Sequence, residues 1–362
     1  MMAGLAGGIA VARRIEARAP TRIDLAGGTI DIWPLYLLHE RPVTVNAAID
    51  LFALARLEEK TDGGIEVVAA DRGASGRYGS ARQLREAITG APSEIEFLLR
   101  LAAHFLDPGG PEEDGARGGP GPACRITTDC QAPAGSGLGG SSALGIALAS
   151  ALDRFVGRGL AGERLLALTR AIETQVLRIP TGEQDYHPAL EGGVLALHYT
   201  VEGTKVERLP VDLEALGRRT VLVYTGVSRS SGVSNWDMLK RHLDGDRRVI
   251  EALEKVNRAS HDMRAALEAA DWDGAGESLG REWKARRDLS DTVSTPAIDA
   301  LIEAGRKAGA VAGKVCGAGG GGCLVFWARE GRREAVRECM AGLGTRILDA
   351  RYVQGGVSVT ES

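Results

Sequence analysis

The sequence predicts a chain of two halves in the α/β or α+β class, and three observations carry that prediction. Strand-like and helix-like runs interleave without a fixed repeat. The 362 residues exceed what one ordinary core holds, so two domains or one large two-lobed unit are expected. A glycine-rich loop joins a period-two segment to a period-3.6 segment in the middle of the chain.

The elements follow in order. Val43–Leu57 reads as long strand material with one interruption. Asp107–Pro122 is rich in Gly, Pro and acidic residues and reads as a mobile surface loop. In Cys124–Cys130, residues Cys124, Ile126, Thr128 and Cys130 share one side and Arg125, Thr127 and Asp129 the other, the pattern of a strand. Ala143, Leu144, Ala147, Leu148, Ala151, Leu152 and Phe155 recur at helical spacing. A second helix, outlined by Leu165, Leu166, Ile172 and Val176, stops before Pro180. Arg219–Thr225 reads as a buried strand that opens the second half. Helices are expected around Val249–Ala269, Gly274–Leu289 and Ala297–Ala308, then a strand at Cys323–Ala328 and a helix at Arg333–Leu343. The boundary is expected within 200–218, and the domains are taken as residues 10–208 and 209–362.

Between the central strand and helix lies Gln131-Ala-Pro-Ala-Gly-Ser-Gly-Leu-Gly-Gly-Ser-Ser-Ala143. A loop at a helix entrance offers unpaired N–H groups and the positive end of the helix dipole, so it attracts an anion. Glycine allows positive φ and close approach to a polyphosphate. Ser141 and Ser142 can cap the helix or offer a hydroxyl to a metal ion. Three readings compete. Gly135, Gly137 and Gly140 formally satisfy G-x-G-x-x-G, but Asp153, near the distance of the acidic partner that a dinucleotide site needs, falls within the helix pattern. A Walker A loop needs a lysine that is absent here. The third reading is a tight turn without a ligand.

The net charge of −4 with mixed signs gives no basic footprint for nucleic acid. No run of about 18 apolar residues exists to span a membrane. Residues 1–12 lack a basic n-region and read as a frayed start rather than a signal peptide. Five cysteines, an odd count without a C-x-x-C pair, fit a reducing cytoplasm and argue against zinc.

Two further clusters stand near the ends: Ala19-Pro-Thr-Arg-Ile-Asp-Leu-Ala-Gly-Gly-Thr-Ile-Asp-Ile-Trp33 and Lys314-Val-Cys-Gly-Ala-Gly-Gly-Gly-Gly-Cys-Leu-Val-Phe326. With the central loop, and in this order, they resemble the three signature motifs of the GHMP kinases, the superfamily of galactokinase, homoserine kinase and mevalonate kinase. The resemblance implies an N-terminal domain like ribosomal protein S5 domain 2, with a left-handed βαβ unit. It implies a ferredoxin-like C-terminal domain, with the active site in the cleft between the two.

The resemblance also assigns roles. Pro133, Gly135, Ser136, Gly137, Leu138, Gly139, Gly140, Ser141 and Ser142 bind the phosphates of ATP. Ser141, ahead of Ser142, and Glu173 are ligands of Mg2+. Thr181–Gly193 is similar to the segment that carries the catalytic aspartate, matched by Asp185, with Tyr186 replacing the usual glutamine and Glu183 as competitor. An aspartate beside the acceptor hydroxyl can orient it and take its proton. Arg22 is the fixed cation that holds the phosphoryl group or keeps Asp185 charged. Asp31, with Gly28, Thr29 and Asp185, faces the acceptor, and Gly317–Gly322, including Gly319 and Gly320, form the far wall. The Gly-Gly-Thr-Ile-Asp pattern, and Arg229 within Tyr224–Ser231, are similar to the heptose-phosphate and fucose kinase branch. Arg229 is suited to hold a substrate phosphate bidentately.

The expected protein is therefore a cytoplasmic, ATP- and Mg2+-dependent sugar or sugar-phosphate kinase. The alternatives are a mevalonate-pathway or homoserine-type kinase, or a silent nucleotide and sugar sensor. The sequence leaves open monomer or homodimer, the acceptor hydroxyl and the adenine pocket.

Overall fold

The computed structural model describes residues 13–90, 93–107, 122–227 and 232–362. The expected frayed start, nearly all of the 107–122 loop, and Arg229 lie outside them. Its first half comprises β1 (Arg14–Ala26), β2 (Val43–Glu59), β3 (Ile65–Ala69), β4 (Ala74–Tyr78), α1 (Ala81–Ala87), α2 (Ser93–Leu106), β5 (Cys124–Cys130), α3 (Gly140–Val156), α4 (Gly162–Leu177), α5 (Tyr186–Glu191), β6 (Val194–Thr200) and β7 (Gly203–Arg208). The second half comprises α6 (Leu213–Arg219), β8 (Thr220–Tyr224), α7 (Gly232–Leu243), α8 (Arg247–Glu268), α9 (Trp272–Arg287), α10 (Pro296–Ala308), β9 (Ala310–Val315), β10 (Cys323–Ala328), α11 (Arg333–Gly342), β11 (Arg346–Leu348) and β12 (Ser358–Glu361).

The first sheet has eight strands in the order β12-β1-β2-β5-β3-β4, with β6 added to β2 and β7 to β6. β2 can serve two neighbours on one side because it is 17 residues long. Its first residues pair with β6 and its last with β5, both antiparallel. Among the described residues only β3 and β5 run parallel. The interruption expected in this strand appears as a register shift against β1 between Pro20 and Thr21. One core packs this sheet against α2, α3 and α4 through residues such as Leu57, Val67, Leu99, Ile126, Leu148 and Ile172.

The second sheet runs β11-β8-β10-β9, wholly antiparallel. With helices before β9 and before β11, this is the β-α-β-β-α-β arrangement of ferredoxin-like domains. A second core joins the two sheets through Leu25, Val45, Leu138, Leu279, Cys316 and Trp327. β12 returns to the first sheet, where it pairs antiparallel with β1.

Helix α3 begins earlier than its apolar face suggested. Gly139, at φ +70°, is its N-cap and no side chain caps it. Ser141 and Ser142 therefore sit within the first turn, and neither is the cap.

Candidate active site

Five segments converge on one cleft: the end of β1 and its following loop, the glycine loop before α3, the last turn of α4 with Thr181–Tyr186, α7, and Arg286 with the closing glycine loop.

In β1, period two puts Arg22 and Asp24 on one face and Ile23 and Leu25 on the other. Both charged residues are buried. The Arg22 backbone N–H bonds Leu138 O at 3.0 Å, which ties the strand to the glycine loop. Its guanidinium donates through Nη1 to Gly137 O at 2.6 Å and through Nε to Asp185 Oδ1 at 2.9 Å. Sequence reasoning placed Arg22 beside Asp185, and the structure brings them together with Arg22 also holding the loop.

Glu183, the competitor for Asp185, is buried and engaged elsewhere. Arg170 pairs with it and Thr204 donates to it. Asp185 retains partial exposure, with its side chain 28% accessible. It alone of the two lines the cleft.

Glu173, on α4, is 4% exposed and also lines the cleft. Ser142 Oγ donates to its Oε2 at 3.1 Å, and the Tyr186 hydroxyl donates to the same oxygen. Ser141 is exposed at the helix mouth and its hydroxyl also faces this carboxylate. Burial pushes the Glu173 carboxyl above its ordinary range against the pull of these hydroxyls. Tyr186 is 1% exposed, and burial with the neighbouring Glu173 charge keeps its phenol protonated well past its usual range.

Asp31 also lines the cleft and is 3% exposed. It accepts from the backbone N–H of Thr29 at 3.1 Å and of Gln184 at 3.0 Å. Burial, reinforced by the charges of Asp185 and Asp24, raises its pKa to about 6. Gly182 packs against it so closely that a Cβ there would stand 1.7 Å from Oδ2.

The closing glycines do more than form a wall. A Cβ on Gly137 would fall 2.2 Å from Cys316 O, and one on Gly322 would fall 2.6 Å from Ser136 O. The two glycine loops thus meet backbone to backbone, and Cys323 N–H bonds Ser136 O at 2.8 Å. Gly319 lines the cleft, but Gly320 commits its N–H to Val293 O at 2.7 Å. Gly28 also works indirectly: its carbonyl accepts from Arg286, and a Cβ would strike Asp24 and Arg286.

Sequence reasoning missed the charge cluster beneath these loops. Arg286 donates to Glu282 Oε1, to Asp24 Oδ2 at 3.2 Å, to Gly28 O at 2.9 Å and to Gly317 O at 3.0 Å. Lys314 Nζ stands 3.2 Å from Asp24 Oδ2 and 3.1 Å from Glu282 Oε1. All four side chains are at most 2% exposed. Burial alone would raise the Asp24 pKa, but Lys314, Arg286 and Arg22 together hold it below its usual value. A lysine inside an apolar strand and an aspartate between Ile23 and Leu25 were the available signals.

The cleft also has apolar lining, from Phe97, Leu98, Leu144, Val176, Leu177 and Ile179. These come from α2, α3, α4 and the turn after it. Among the described residues no group of three or more His, Cys, Asp or Glu is placed to hold a metal ion. A single carboxylate with a hydroxyl does suit a hard cation that keeps several waters and binds phosphates.

A glycine loop at a helix mouth, an Asp–Arg pair facing it and a cleft between two halves are the parts that a small-molecule phosphotransferase needs. Residues 97–193 match the GHMP kinases N terminal domain, and residues 263–344 match GHMP kinases C terminal. The chain belongs to the GHMP kinase family. It is 26% identical over 352 residues to the D-glycero-alpha-D-manno-heptose 7-phosphate kinase of Campylobacter jejuni, covering 95% of this chain and 98% of that one. It is 28% identical over 344 residues to the mevalonate kinase of Thermococcus onnurineus, covering 92% and 95%. The crystal structure of a D-glycero-D-manno-heptose 1-phosphate kinase from Bacteroides thetaiotaomicron superposes with a TM-score of 0.76 at 24% identity, covering 96% of this chain and 98% of that one. The two-domain α+β fold expected from the motifs is the fold observed.

Proposed function

We propose that this enzyme transfers the γ-phosphoryl group of ATP to a hydroxyl of a sugar or sugar phosphate of the heptose-phosphate, fucose or hexose type. The observation that carries this reading is the Arg22–Asp185 pair, set between the glycine loop and buried Asp31.

The triphosphate lies along Gly135–Gly140, whose carbonyls and N–H groups are positioned by Arg22 and by the closing loop. The base packs on the apolar lining near Phe97 and Val176. Mg2+, when bound, neutralises charge on the phosphates, and Glu173 with Ser142 would hold it. Ser142, buried and bonded to Glu173 Oε2 at 3.1 Å, is preferred over Ser141, whose hydroxyl faces the same carboxylate from an exposed position. Asp185 orients the acceptor hydroxyl and accepts its proton as the oxygen bonds to phosphorus and the bond to ADP breaks. Arg22 stays at the phosphoryl path as a fixed positive charge. Asp31 accepts hydrogen bonds from neighbouring acceptor hydroxyls, with Thr29 beside it. The similarity to the heptose 7-phosphate kinase over nearly the whole of both chains supports a sugar-phosphate acceptor.

No helix among the described residues is long and apolar enough to cross a membrane. The five cysteines are all free, which supports a reducing cytoplasm.

The similarity to a mevalonate kinase favours a second reading, an acceptor without a ring. ADP release measured across hexoses, heptose phosphates, polyols and mevalonate separates the two. Stimulation by mevalonate alone would overturn the sugar assignment, and no stimulation despite tight ATP binding would point to a sensor.

A further inference from the structure

Tyr186 stands where the family pattern has glutamine, and its ring and hydroxyl are almost fully buried. It opens α5 directly after Asp185. Its hydroxyl reaches Glu173 on α4, and Ser142 on α3 donates to the same oxygen. Three helices thus meet at Glu173 Oε2.

We infer that Tyr186 is a positioning residue for the metal-bearing carboxylate: by anchoring Oε2 it presents Oε1 of Glu173 to the cation. The inference rests on the reading that Glu173 and Ser142 hold Mg2+. Two donors on one oxygen restrain the rotation of the carboxylate more tightly than the serine hydroxyls alone would. The tyrosine also sets the spacing between two anions. Asp185 precedes it in the chain and Glu173 is its bonding partner, and Asp185 bears electrostatically on Glu173. A phosphoryl path bounded by both needs that separation held before the phosphates and metal arrive. Partners that hydrogen-bond a ligating carboxylate from behind are worth about 10- to 100-fold in metal affinity or activity.

The test uses the full chain with Mn2+ as probe and the non-hydrolysable β,γ-imido analogue of ATP, and reads free Mn2+ by its paramagnetic resonance signal. Tyr186→Phe keeps the ring that fills the pocket and removes only the donor. We expect its Mn2+ affinity to fall roughly tenfold or more, with a thermal melt close to that of the unaltered protein and with affinity for the metal-free nucleotide unchanged. Glu173→Gln serves as the control and should lose Mn2+ affinity more severely. If Tyr186→Phe binds Mn2+ as tightly as the unaltered protein while Glu173→Gln does not, the tyrosine only fills space and the inference is overturned. If Glu173→Gln also retains full affinity, the Glu173 metal site itself is wrong, and Tyr186 loses its role with it.

Discussion

Arg22 Nε lies 2.9 Å from Asp185 Oδ1 although 163 residues separate them in the chain. The same guanidinium holds Gly137 O at 2.6 Å. One side chain therefore sets the distance between the glycine loop and Asp185, which the proposed transfer needs in line.

Asp185→Asn keeps the shape of the side chain and removes its charge and basicity. Turnover should fall by roughly two to four orders of magnitude, the usual worth of a positioned general base. Nucleotide affinity should change little, because the proposed site rests the phosphates on the loop and not on Asp185. Steady-state kinetics paired with calorimetric binding of ATP measures both. Turnover within a few-fold of the unaltered enzyme would remove Asp185 from this role.

Much of this site was legible in the sequence because glycine clusters are local signals and the segments around them resemble family motifs. The central glycine loop stood out on its residues alone, whereas Arg22, Asp31, Glu173 and Asp185 were legible only through that resemblance; all four line the one cleft. The cluster of Asp24, Glu282, Arg286 and Lys314 was not, since α9 carries many charges and nothing in its spacing says that Glu282 and Arg286 face inward. The closing glycines line the cleft at Gly317, Gly319 and Gly321 as expected, but the backbone that lies against several of them was not legible. The apolar lining of the cleft draws single residues from separate helices, which no local pattern joins.

Gly137→Ala tests that loop contact. Gly137 has φ +75°, and the added methyl would fall 2.2 Å from Cys316 O, which is backbone and cannot rotate away. Positive φ and overpacking each cost on the order of 1–3 kcal/mol. Denaturant unfolding should show a loss of that order, and ATP affinity should drop as the two loops part. A variant with unaltered stability and ATP affinity would show that the loops separate in solution.

Asp31 sets a pH dependence. Its pKa is raised from 3.8 to about 6, first by burial. The folded protein thus holds a proton that the unfolded chain gives up, so the stability from this group is fully present below pH 3.8 and is lost as pH rises through about 6. In the proposed reading acceptor binding runs the other way, since Asp31 already accepts from Thr29 and Gln184 N–H and only its ionised form keeps acceptor capacity on both oxygens for hydroxyls. The acceptor KM should rise as pH falls through about 6, while the ATP KM stays flat. Asp31→Asn should abolish the inflection; an inflection of the same size in that variant would assign it to another group.

Arg286 ties the buried charge cluster to the loops above it. It is the only one of the four clustered charges that also reaches both loops, through Gly28 O and Gly317 O. Replacing it with methionine would leave Asp24 and Glu282 buried with Lys314 as their remaining cation from the cluster. Breaking a buried ion pair by removing one partner costs about 3–5 kcal/mol, because the charge left behind has no solvent. Arg286→Lys keeps the charge but loses the planar fork that spans two carboxylates and two carbonyls. It should be less destabilised than the methionine variant in urea unfolding. Its defect should lie mainly in a raised acceptor KM, because the Gly28–Asp31 loop loses its tether while Arg22 still holds the phosphate loop. Equal stability of Arg286→Met and the unaltered protein would mean that the cluster opens to water, and an ATP KM raised as much as the acceptor KM would mean that Arg286 supports the whole cleft and not its acceptor side.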